Sequence, residues 1–161
     1  MPRKLTRWMV PVVLGALALS VGSLASASAN HGFNKNVRLV FIEKSTGGTF
    51  VDVDKSGGAP TAGDVFVFQA DLLDPTTNAK MGTVEGHCMI ITASLSDCEA
   101  SGMLAGGQIR VGGASTDANV NMLAVTGGTG IYRNVSGQIT TESIDDNTSK
   151  DTLELSGVLR R

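Results

Sequence analysis

The sequence predicts an all-β fold, a small antiparallel eight-stranded β-barrel. Beyond the first 29 residues no window holds a sustained 3.6-residue apolar period, the mark of a helix. Apolar residues recur at period 2 in several runs, so alternate side chains share one face of a strand. Glycine- and polar-rich turns separate these runs at short intervals, and the 161 residues include 20 glycines. Closure into a cylinder removes the unpaired edges that invite aggregation. An eight-strand barrel is either filled by its own side chains or holds one small ligand.

Residues 1–29 read as a signal peptide and 30–161 as the barrel domain. Arg3, Lys4 and Arg7 form a positive start, Trp8–Leu24 is apolar, and Ala27-Ser28-Ala29 offers a small-residue cleavage site. The apolar stretch, broken by Pro11, Gly15 and Gly22, is short for a membrane span. The expectation is export, cleavage near Ala29 and no membrane attachment afterwards.

Val37–Lys44 is the first strand, with Phe41 and Glu43 on one face. Ser45–Gly48 reads as a turn, Thr49–Val53 as a short strand or arm, and Lys55–Gly63 as a loop. Asp64–Leu73 places Phe66, Phe68, Ala70 and Leu72 on one face. Asp74–Lys80, with Pro75, turns. Met81–Thr92 puts Val84, Gly86, Cys88 and Ile90 on one face and Glu85 and His87 on the other. Cys98–Ala105 follows, and Gly106-Gly107 opens a strand at Ile109–Val111. Gly112–Ala118 reads as a turn and Asn119–Val125 as a strand. Ile131–Thr141 returns, Ser143–Lys150 is a polar turn, and Asp151–Arg160 closes the set, with Leu153, Leu155 and Leu159 in period-2 register.

The segment between Val125 and Ile131, TGGTG, admits two readings. Glycine reaches positive φ without steric cost, so the cluster either cradles a phosphate or turns the chain between strands. The third glycine of a dinucleotide fingerprint would fall on Arg133, and the residues after it show no helical period. Gly127, Gly128 and Gly130 are therefore assigned to a structural turn.

AVTGGTGIYRNVSGQI resembles the signature segment of the allene oxide cyclase barrel, a calycin-type fold shared with dirigent proteins. Upstream, GQIRVGG at 107–113 and GDVFVFQADLLDPTTNAKMGTVEGHCMII at 63–91 resemble the family's preceding strands. The resemblance implies a hydrophobic cavity, here assigned to Phe41, Phe66, Phe68, Ala70, Cys88 and Met122. Members that cyclise allene oxides use a first-strand acid, an asparagine that helps hold a water, and a cavity cysteine. Aligned without gaps, Phe41 takes the acid's place, Glu43 stands where the family has an amide, and Ala70 replaces the asparagine. Only Cys88 matches, so a true allene oxide cyclase is not expected.

Glu43 is the candidate catalytic residue. Pointing inward among Phe41, Phe66 and Phe68, its desolvated carboxyl would suit proton transfer; pointing outward, it pairs with Lys44 or Arg38. An exported chain makes a Cys88–Cys98 disulfide the default, and the resemblance leaves open a free Cys88 thiol facing the interior.

All 15 acidic residues lie beyond Ala29, so cleavage leaves a chain more acidic than its formal −2. No basic stripe exists, which excludes a nucleic-acid surface. His31 and His87 stand alone, and Asp52-x-Asp54 and Asp145-Asp146 lack the density of a calcium loop, so neither metal nor cofactor is expected. Asn134-Val135-Ser136 and Asn147-Thr148-Ser149 match glycosylation acceptors, and the alanine-rich, bacterial-looking leader makes them chance matches. Three functions remain. The first is a dirigent-like module binding a small hydrophobic or phenolic molecule, with a separate oxidase as partner. The second is an isomerase or cyclase using Glu43, and the third a packed interaction protein. Outward Val40, Ile42, Val65, Val67, Met89 and Ile91 would suit a homotrimer, as in related barrels.

Overall fold

The computed structural model describes residues 36–158. The leader, its cleavage site and Leu159 lie outside the described residues. The strands are β1 (Val37–Val51), β2 (Val65–Leu73), β3 (Lys80–Thr92), β4 (Leu95–Leu104), β5 (Gly107–Thr116), β6 (Val120–Gly128), β7 (Ser136–Asp145) and β8 (Thr148–Ser156). Each pairs antiparallel with the next, and β8 returns to β1 to close the barrel. A 3₁₀ turn, Gly130–Tyr132, links β6 to β7.

Several strands run further than expected. Ser45–Gly48 is not a turn: the register slips between Ser45 and Gly47, and β1 continues to Val51. The slip is a bulge. It leaves Thr46 unpaired in the register, and its hydroxyl donates to the Gln69 carbonyl at 3.2 Å. Gly112–Ala118 is mostly strand, because β5 pairs with β4 as far as Thr116. The polar stretch Ser143–Lys150 shrinks to a tight turn between Asp145 and Thr148, where the Asn147 N–H donates to Asp145 Oδ1 at 2.8 Å. Its polar residues lie on strands whose outer face is solvated, and there Lys150 Nζ meets Glu142 Oε2 at 3.0 Å.

The register gives the barrel two unlike ends. At one, β6 runs into the TGGTG corner. Thr129 N–H donates to Gln108 O at 2.9 Å and Ile131 N–H to Gly106 O at 3.0 Å, so the corner is laced onto the β4–β5 turn. Tyr132 and Val135 are buried against Ile109, Val125 and Leu155 in one core cluster. Phe41 belongs to this core, at 5% exposure. A void of only about 30 Å³ lies there, bounded by Phe41, Leu72, Ile109, Ile139, Asp151 and Leu153, so the described residues fill this half with side chains.

The opposite end carries the β1–β2 loop and the β3–β4, β5–β6 and β7–β8 turns. The loop is anchored by Asp64, whose carboxylate accepts the N–H groups of Thr61 (2.7 Å) and Val53 (2.8 Å). Those bonds, Thr61's first, hold Asp64 below the ordinary carboxylate range. Carboxylate oxygens of Asp52, Asp54 and Asp64 gather within 4.8 Å. Asp52 and Asp54 accept the Ser56 N–H, and Asp52 also the Gly57 N–H, so the cluster is bound into its own loop.

Cys88 and Cys98 are directly opposite each other on β3 and β4 and form a disulfide. The alternative of a free Cys88 thiol is therefore overturned: Cys88 lines the interior as a disulfide sulfur. Closing so short a loop restricts the unfolded chain by roughly 3 kcal/mol in the chain-entropy account.

Candidate functional site

The open end leads into a cleft of about 320 Å³. Its walls come from β1, β2, β3, β7 and β8, and its lining includes Glu43, Phe66, Phe68, Ala70, Cys88 and Thr141. The bulge in β1 shapes it. By shifting the parity of the strand, it pairs Gly48 with Phe68 and Phe50 with Phe66. The glycines make room for the aromatic rings: a Cβ at Gly48 would press on the Phe66 ring, and one at Gly86 on the Phe68 ring. The two rings stack with centroids 6.2 Å apart and planes 15° from parallel. Phe66 stays 43% exposed, at the mouth.

Glu43 forms the floor. On β1 it lies opposite Leu72 of β2 and Ser149 of β8, and Phe41, two residues earlier, lies opposite Asp151. Both acids thus face the interior on adjacent strands. Burial first, then the charge of Asp151 and a hydrogen bond to it, together raise the Glu43 carboxyl from an ordinary 4.5 to about 8. Burial also lifts Asp151, against hydrogen bonds from Glu43 and Thr141 that pull it down. Asp151 is 3% exposed, and its Oδ1 is buried without a partner among the described residues. Two buried carboxyls side by side do not both ionise readily, and one shared proton relieves the repulsion. Glu43, which lines the cleft, is then a proton donor at neutral pH, backed by Asp151 in the packed layer beneath it.

Of the cavity residues assigned from sequence, Phe66, Phe68, Ala70 and Cys88 line this cleft, and Glu43 points inward. Phe41 does not; it sits one layer deeper, in the packed half. Met122 does not either. It is 63% exposed and lies on the outer face, while Leu123 and Val125 take the inward positions of β6. Gly127, Gly128 and Gly130 lie at the far, closed end, away from the cleft. Sequence reasoning missed Asp151, although it shares the period-2 face of Leu153 and Leu155.

A larger concavity of about 680 Å³ lies over β1, β2 and β3, bounded by Thr49, Val65, Val67, Glu85 and His87. It lacks the buried carboxyl pair.

Fold and cleft together define a small closed-barrel protein, blind at one end and open at the other. Residues 48–155 match the allene oxide cyclase barrel like domain, and the chain belongs to that family. A search of the curated proteins finds no match. Among solved structures, it is similar to a pyocyanin demethylase (24% identity, TM-score 0.65, 74% of this chain and 100% of that one). It is also similar to a pterocarpan synthase dirigent protein (18%, TM-score 0.66, 79% and 87%). A third is an exo-specific intermolecular Diels–Alderase (18%, TM-score 0.62, 77% and 100%). At these identities the likeness speaks for the fold.

Proposed function

We propose that this protein is an exported barrel that binds a small hydrophobic or aromatic molecule in the cleft at its open end. The observation that carries this is the 320 Å³ cleft with the stacked Phe66 and Phe68 on its wall. Its size is at the small end of ligand pockets, and its apolar wall of Phe66, Phe68, Ala70 and Cys88 faces a polar and acidic wall from β7 and β8. A dirigent-like role follows naturally: the barrel would orient a phenolic molecule activated by a separate oxidase. The half-filled interior argues against a barrel that is merely packed. Titration with the neutral fluorophore N-phenyl-1-naphthylamine should give saturable binding, weakened about tenfold by Phe66→Ala. No saturable binding, or binding indifferent to Phe66→Ala, would remove the proposal.

The Glu43–Asp151 pair favours a second reading, an isomerase or cyclase of the same cleft. A carboxyl that titrates near neutrality is suited to general acid–base work. Turnover of a candidate substrate by the purified barrel alone, lost in Glu43→Gln, would distinguish catalysis from binding.

Val67, Met89 and Ile91 are each about two-fifths exposed on the outer face of β2 and β3. That apolar face, with the concavity beside it, supports assembly as a homotrimer. Light scattering at micromolar concentration should return three times the chain mass; a monomeric mass would exclude it.

A further inference from the structure

We propose that the cleft selects aromatic ligands bearing a positive charge or a basic ring nitrogen, and turns away carboxylates and other anions. This deepens the binding reading above and rests on it. Among the described residues the charged ones that line the cleft are Glu43, Asp145 and Asp146, and no lysine, arginine or histidine joins them. Every element packed around the floor agrees in sign. β1 contributes Glu43 and β7 with its turn contributes Asp145 and Asp146, while Asp151 of β8 lies beneath Glu43 in the packed half. β2 and β3 bring no charge, only Phe66, Phe68, Ala70, Gln69 and Cys88.

The nearby cations are committed elsewhere. Lys150 is paired with Glu142, and Lys44 alternates to the face opposite Glu43 and is exposed. An anion entering the cleft would give up water and meet hydroxyl and amide donors but no opposite charge, beside three carboxyls. A cation would meet the carboxyl floor and the faces of two phenyl rings, whose quadrupoles attract positive charge.

Bound positive charge stabilises the ionised form of Glu43, so the ligand should displace the proton that the pair shares. This makes a second signature, independent of affinity. Below about pH 8, where Glu43 is protonated, cation binding should release up to one proton per ligand.

The test uses three aromatic fluorophores differing in charge: 10-methylacridinium, N-phenyl-1-naphthylamine and 1-anilinonaphthalene-8-sulfonate. At pH 7 the acridinium should bind about tenfold or more tighter than the sulfonate. Asp146→Asn and Glu43→Gln should each narrow that gap about threefold, read as the ratio of acridinium to sulfonate affinity after each is normalised to the neutral probe. Calorimetry in two buffers of different ionisation enthalpy should show proton release with the acridinium and none with the neutral probe. If the neutral probe binds at the Phe66 site while the sulfonate binds as tightly as the acridinium, charge selection is wrong and the pocket stands. If none of the three binds, the pocket itself is wrong and the selection falls with it.

Discussion

Raising the pH from 5 to 9 is expected to cost this protein on the order of 4 kcal/mol of stability, and Glu43→Gln to remove most of that loss. The sign follows from the Glu43 carboxyl, which releases its proton near 4.5 in the open chain and near 8 in the fold. Below 4.5 both states hold the proton, and no difference arises. Between 4.5 and 8 the unfolded chain ionises and the folded one does not, so folding takes up a proton and stability falls as pH rises. Above 8 both are ionised and the curve flattens. Burial also raises Asp151, which adds to the fall. Asp64 and Asp74, held low by backbone N–H groups of Thr61 and Thr77, work in the opposite sense, and only in acid. A stability maximum near pH 5 is therefore expected. A small domain is stable by roughly 5–15 kcal/mol, so the effect is a large fraction of the whole. Urea midpoints at pH 5, 7 and 9 measure it. A flat parent, or a Glu43→Gln variant with the parent's slope, would mean that Glu43 is not buried in the cleft's floor. Two acids in a site that leucine would fill at lower cost are better explained by chemistry than by stability.

Much of this site was open to inspection before any coordinates. Period 2 put Phe41 with Glu43, and Phe66 with Phe68 and Ala70, on shared faces, and those faces are inward. The same rule, carried to Asp151-Thr152-Leu153-Glu154-Leu155, would have supplied the second acid. Two errors have a common cause. Ser45–Gly48 looked like a turn because glycine serves turns and bulges equally. Only pairing with Gln69 and Phe68 across the barrel decides for a bulge, and that information is non-local. Met122 was placed inside because Met122-Leu123-Ala124-Val125 is apolar on both faces, and such a run carries no parity of its own. The register slip between Arg110 and Val111 further breaks any count carried over from β5.

The TGGTG corner gives the sharpest test of the closed end, because its three glycines are constrained for different reasons. Gly127 has φ +150° and open space where a Cβ would go, so alanine there meets backbone strain alone, worth about 2 kcal/mol. Gly128 has no such φ, but its Cβ would meet the carbonyl oxygens of Gln108 and Tyr132, a purely steric cost of similar size. Gly130 combines both: φ is +60°, and a Cβ would strike the Gly106 carbonyl. Across the same seam Gly107, at φ +151°, abuts the Thr129 carbonyl, so the two backbones touch where any side chain would separate them. Gly130→Ala should therefore lose about 4 kcal/mol, as much as Gly127→Ala and Gly128→Ala together. Equal losses at all three in urea unfolding at pH 5 would mean that the seam is not closed this way. The consequence reaches the other end of the molecule. The seam holds the 3₁₀ turn that buries Tyr132, and Tyr132 with Val135 stops the bore. With that stop beneath the packed layer of Phe41, Ile109 and Leu153, Glu43 lies in a cleft with a single mouth, where burial keeps its carboxyl protonated.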